Sequence, residues 1–246
     1  MSVPASLRFL NCKLIGKPDS LERILDELQD MGIRAGLLQV GSFAYESFAF
    51  WRKYDEQARH ELGIAYEKRQ LTFATADDHS YIILTFEISW SLTDAGQPVQ
   101  TLLQATASQT TMFTQKEYDP ERHAQRFLEV GKRLYDLVQP IFGWIERCWP
   151  SGYTKWGDIE SLAVPHIYWA NFFGPEYVRK LGRKYLLNAP GWKKEDLKDG
   201  GFLYVLSPSL SGTGPRAVVE QVKQYFGVES VRRKRRSTGV PSDGLS

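Results

Sequence analysis

The sequence predicts an α+β fold: a largely antiparallel mixed sheet with flanking helices in a single domain. Three observations carry this expectation. A period-two apolar run, "SYIILTFEISW", sits mid-chain with turn residues and a second strand-like run behind it. Stripes with helical spacing and readable starts and stops lie on both sides of that run. Strand and helix signals also come in groups, not in the regular alternation that a doubly wound parallel sheet imposes.

The elements follow in chain order. "LRFLNCKLI" reads as a strand, and "DSLERILDELQDMG" as a helix with Asp19 as N-cap, Glu22 three residues later and Gly32 as the stop. In "FAYESFAFWRKYDEQARHELG" the residues Phe43, Ser47, Phe50, Trp51, Tyr54, Ala58 and Leu62 recur at helical intervals before Gly63, although the first half also suits a strand. From Leu71 the period becomes two, with Ile82, Leu84, Phe86, Ile88 and Trp90 on one face and Thr85, Glu87 and Ser89 on the other. "TDAGQP" supplies turn chemistry, and "VQTLLQATASQTTMF" returns as the antiparallel partner.

"YDPERHAQRFLEVGKRLYDLVQPIFGWIE" then starts a long helix, with Asp119 as cap and Pro120 at the first helical position. Ala124, Phe127, Leu128, Leu134, Val138 and Ile141 form its apolar stripe, and Pro140 should kink or end it. Trp144 to Trp156 reads as an aromatic-rich loop. "HIYWANFF", apolar on both faces, suits a central strand, which Gly174-Pro175 closes while starting the next helix. Tyr177, Val178, Leu181 and Tyr185 form that helix's apolar side. "KDGGFLYVLS" gives a turn and a strand, and "GPRAVVEQVKQYFG" a last capped helix.

A chain of 246 residues can build one large core or two small ones. Residues 1–227 contain no Pro/Gly/Ser-rich linker, so one domain is expected there; a division at "WPSGYTKWGD", near 149–157, is the alternative. Beyond Gly227 five cations in "VRRKRR" face only Glu229 and Asp243. That surplus of three, set against +2 for the whole chain, leaves the body at −1. The expected basic, disordered tail is 228–246, ending in "STGVPSDGLS" with nothing to bury. A nucleic-acid partner is therefore not expected except through the tail.

No apolar run approaches the roughly 20 residues of a membrane-spanning helix, and "MSVPASLRFLNCKL" lacks the pattern of a signal peptide. A cytoplasmic protein with no membrane contact is the expectation. Cys12 and Cys148 lie too far apart in the chain to suggest a disulfide framework or a zinc site, and both read as buried thiols.

Catalytic patterns are scarce. His60, His79, His123 and His166 never form a close pair, and no metal-ligand spacing, cofactor fingerprint or nucleophile elbow occurs. No catalytic residue, cofactor or metal is assigned. His123 is expected to be exposed, and His166 to be structural, with a base paired to a distant acid the alternative. Asn171 reads as a buried residue that fixes its strand. "SPSLSGTGPRA" gathers hydroxyls and glycines before a helix start, but loops of this kind are common for conformational reasons.

Arg179, Lys180, Arg183 and Lys184 recur at i, i+1, i+4 and i+5, placing four cations on one helix surface that is either solvated or meets an acidic partner. Trp149 and Trp156, in the loop after the kinked helix, are the candidate aromatic contacts for a partner.

"HIYWANFFGPEYVRKLGRKYLLNAP", followed by "DGGFLYVLSPS", resembles the C-terminal pattern of uncharacterised bacterial α+β proteins grouped near polymorphic-toxin immunity proteins. The resemblance spans about residues 165–227 and implies a cytoplasmic protein that occludes a cognate toxin, with no catalytic residues to carry over. An interaction protein, an immunity protein or antitoxin, is thus the leading expectation. An enzyme whose site is assembled from sequence-distant residues comes second, and a nucleic-acid binder third.

Overall fold

The computed structural model describes residues 5–17, 19–36, 63–64, 66–77, 83–107, 120–147, 156–210 and 216–228. Among them are the strands β1 (Ala5–Leu10), β2 (Ile33–Gly36), β3 (Gln70–Asp77), β4 (Ile83–Leu92), β5 (Pro98–Ala107), β6 (Phe142–Arg147), β7 (Ala170–Phe173), β8 (Lys193–Asp196) and β9 (Phe202–Val205). The helices are α1 (Ser20–Asp30), α2 (Pro120–Val138), α3 (Trp156–Glu160), α4 (Pro175–Leu181), α5 (Arg183–Asn188) and α6 (Arg216–Tyr225). The nine strands form one sheet in the order β2-β3-β4-β5-β1-β6-β7-β9-β8, and each neighbouring pair is antiparallel. The fold is α+β, as the grouped signals predicted.

Period two divides each strand between the two faces of the sheet. On the first face Leu7, Phe9, Phe86, Ile88, Leu103, Ile145, Phe172 and Leu203 pack against Ile24, Leu25 and Leu28 of α1 and Phe127, Leu128 and Leu134 of α2. On the second, the register aligns Leu10, Phe142, Phe173 and Phe202 in one row across β1, β6, β7 and β9. α3, α4, α5 and α6 cover that row with Ile159, Tyr177, Leu186 and Val222. A glycine makes the centre fit: at Gly143 a Cβ would stand 2.1 Å from the Phe9 ring. Phe9 thereby meets Phe172 edge-on at 5.2 Å, and Tyr135 stacks on Phe172 at 5.7 Å.

Several expectations hold. "TDAGQP" turns β4 into β5, with the Thr93 N–H bonded to the Gln97 carbonyl at 2.9 Å. Leu84, Phe86 and Ile88 are buried while Trp90 is half-buried. α2 ends at Val138 ahead of Pro140, and Gly174-Pro175 is the boundary between β7 and α4, with the proline in the first turn. Gly32, at φ +75, stops α1. Asp19 precedes α1 but makes no side-chain capping bond; Ser20 Oγ instead donates to the Lys17 carbonyl and bonds the Tyr66 hydroxyl.

Other expectations are corrected. Trp144 belongs to β6, a strand between β1 and β7, and not to a loop. Phe142, Trp144 and Ile145 put apolar side chains on both of its faces, so no alternation marked it, and the stripe of α2 ran on to Ile141 in the sequence. The helix expected from Pro175 breaks at Gly182, whose φ of +89 and ψ of 128 separate α4 from α5. β8 was not foreseen, because "KKED" carries no apolar signal at all. Val228 packs on the second core and donates its N–H to Lys223, so the folded part passes Gly227 by one residue. The helix or strand expected at 43–62, Trp149 and the tail from Glu229 on lie outside the described residues. β6 and β7, on either side of 149–157, are neighbours in the one sheet.

Candidate functional site

The four cations singled out in the sequence do not share one helix. Arg179 and Lys180 sit on α4, and Arg183 and Lys184 follow the break at Gly182 on α5. Lys180 Nζ donates to the carbonyls of Ser161 and Leu162, at 2.7 and 3.0 Å, and so closes the C-terminal end of α3. Arg183 forks onto Asp196 of β8, Nε to Oδ1 at 2.8 Å and a second bond to Oδ2. This pairing holds the Asp196 carboxyl below its usual range. Both residues are solvent-facing, so their pairing fixes geometry more than stability. Arg179 and Lys184 are exposed. Trp156 is half-buried against the second core, which makes it a packing residue of α3.

β8 is an edge strand tied down on both faces by charge. Glu195 meets Lys132 of α2 on the first face, and Asp196 meets Arg183 of α5 on the second. Burial raises the Glu195 pKa, but hydrogen bonds from Lys132 and Lys193 outweigh it and the net shift is downward. Just before β8 the chain exposes Trp192 to 45%, and α5 exposes Leu187 to 38%. They are two of the three exposed large hydrophobics among the described residues, the third being Ile64.

A cavity of about 550 Å³ opens beside α2, lined by Arg122, Arg126, Lys132 and Lys193 with Gln125, Leu128 and Glu129. Its cations are already engaged. Arg126 bonds Glu129 at 3.2 Å and the Met31 carbonyl, and Lys132 and Lys193 share Glu195. The cavity wall is an ion-pair network rather than a set of waiting donors.

The second sheet face holds what sequence reasoning missed. Over β6, β7 and β9 it is aromatic core, but over β4, β5 and β1 it turns polar. One row runs Glu87, Gln104, Arg8, Trp144, and the next Thr85, Thr106, Ser6, Glu146. Gln104 Nε2 donates to Thr106 Oγ1 at 3.2 Å, and Trp144 Nε1 to Glu146 Oε1 at 3.0 Å. The Arg8 guanidinium lies over the Trp144 ring, 5.8 Å from its centre. Burial lowers its pKa, opposed by Glu146, Tyr168 and Glu87. Ser6 Oγ and Arg8 Nε are buried without a hydrogen-bond partner. The signal was present as the polar side of the β4 alternation and as a lone arginine within "LRFL", yet only the register brings these residues together.

The remaining candidates are structural. Asn171 is fully buried; its Oδ1 accepts from the Tyr168 N–H and its Nδ2 donates to the Tyr168 carbonyl, both at 3.0 Å. It clasps the chain as β7 begins. His166 lies edge-on to Tyr168 at 5.0 Å, and burial, then the charge of Lys223, lowers its pKa. Cys12 is buried, which pushes its thiol far up despite a bond from Thr101. Among the described residues no group of three His, Cys, Asp or Glu is placed to hold a metal, and no helix is long and apolar enough to cross a membrane.

The chain matches no protein-family model and no curated protein, so the likeness of residues 165–227 to immunity proteins rests on those residues alone.

Proposed function

We propose that the chain is a non-enzymatic interaction protein, most concretely an immunity protein that binds and occludes a cognate toxin. The observation that supports it is the exposure of Leu187 and Trp192, close together in the chain, with the exposed Lys184 one turn before Leu187 on α5 and Arg179 exposed on α4. Tryptophan and arginine are among the residues that most often dominate binding energy, and exposed apolar side chains in a segment that also exposes cations suit an acidic protein surface. Lys180 and Arg183 serve this surface indirectly, by fixing α4 to α3 and α5 to β8.

The test is capture of the partner with the full chain, its identification, and measurement of the isolated complex. Arg179→Glu with Lys184→Glu should leave the melting temperature close to wild type, slow association and reduce the dependence on salt. Trp192→Ala should cost about 2 kcal/mol of binding or more. The partner, expressed without this chain, should arrest growth. A harmless partner sinks the immunity assignment, and affinities unaltered in both variants sink the surface. A second reading, an active site assembled from distant residues, is favoured by the rows that bring Ser6, Arg8, Glu87 and Glu146 together from three strands.

A further inference from the structure

The polar half of the second sheet face points to a ligand, independently of the surface around Trp192. Ser6 and Arg8 reach this face from the same strand, two residues apart, with Thr106 and Gln104 beside them on β5 and Glu146 and Trp144 on β6. Ser6 is only 1% exposed, and its hydroxyl has no hydrogen-bond partner. The buried Nε of Arg8 has none either. Native proteins seldom leave buried polar groups unpaired, and the exceptions call for a water, an ion or a function.

The chemistry of the row narrows the choice. The Arg8 Nε–H can only donate, while the Ser6 hydroxyl can donate or accept, so the group missing beside them must accept from Arg8. Glu87 and Glu146, which act electrostatically on Arg8, are acceptors when ionised, so the same occupant should donate at its edges. An anion would satisfy the donors but face two carboxylates; a cation would suit the carboxylates but face the guanidinium. A hydroxyl accepts and donates at once and carries no charge. We infer that Ser6, Arg8, Glu87 and Gln104 form a binding site for a neutral, hydroxyl-rich ligand, that is, a saccharide. Arg8 and Ser6 donate to its oxygens, Glu87 accepts from its hydroxyls, and Glu146 is held in place by the Trp144 indole at 3.0 Å.

The full chain is titrated with glucose, galactose, mannose, N-acetylglucosamine and maltose by ligand-observed NMR and calorimetry, with citrate and glycine as charged counterparts. At least one saccharide should bind, and citrate and glycine should not. Arg8→Lys keeps the charge but removes the Nε donor, and should weaken that binding roughly tenfold or more. Gln104→Ala changes a half-exposed position in the same row and should weaken binding without unfolding the sheet, which guards against a misfolded Arg8 variant. Affinity that grows from glucose to maltose marks a glycan as the natural source, and equal affinity a free sugar. Three outcomes overturn the site: no saccharide binds, citrate or glycine binds instead, or a saccharide binds equally well to both variants.

Discussion

Phe172 is the residue on which the core of the first sheet face depends most visibly, being fully buried, edge-on to Phe9 and stacked on Tyr135. Phe172→Ala should cost roughly 3 to 5 kcal/mol, because the surrounding rings cannot collapse into the space. Urea unfolding measures this, and a loss under about 1 kcal/mol would contradict the packing. Asn171→Ala removes both bonds that hold the Tyr168 peptide and should cost about 1–3 kcal/mol through the buried groups left behind. Cys12 should resist a thiol reagent in the native protein and react only on unfolding, since burial keeps it protonated. The sequence announced Phe172, Asn171 and Cys12 through their apolar surroundings. It could not announce Ser6 and Arg8 as a pair of interest, because hydrogen-bond satisfaction depends on the neighbouring strands and not on the residues themselves.

At the scale of the elements, the break between α4 and α5 is the sharpest departure from the sequence reading. The periodicity through Tyr185 is good enough to conceal it. Gly182 adopts a φ of +89, yet a Cβ there would meet nothing within 4 Å. Gly182→Ala should therefore cost about 1–3 kcal/mol from backbone strain alone, with no contribution from a clash. A neutral or stabilising effect would mean that the two short helices can straighten into one. β8 shows the opposite problem. Its four charged residues carry no strand signal, and it is a strand only because β9 offers an edge and ion pairs from α2 and α5 hold it there. Charges of this kind on an edge also discourage pairing with another chain.

For the whole molecule, pH tests the packing between α6 and the aromatic segment that leads into β7. The His166 pKa is lowered in the fold from its ordinary 6.5, first by burial and then by Lys223. Above 6.5 neither state holds the proton, so stability is complete; as pH falls below it, the unfolded chain takes up a proton that the folded chain refuses. The melting temperature should decline on that acid side, and the decline should be shallower in His166→Gln. An identical slope in the variant would mean that the imidazole is solvated. Fold class, the β4–β5 turn and the ends of α1 and α2 were legible because each depends on local chemistry. Sheet order was not, since "LRFL" says nothing of which strands will flank it.

That order has a temporal consequence. β1 is made first and ends in the middle of the sheet, where Leu10 lies between Leu102 and Phe142. A ribosome therefore releases the central strand long before either neighbour exists, and α1 is the first element of their core to emerge that can cover Leu7 and Phe9. Pairings so distant in sequence make folding slow compared with a helical protein of equal size. Until β6 emerges the nascent chain should hold chaperones, and a chain stopped before Phe142 should be captured and degraded instead of accumulating as a stable half.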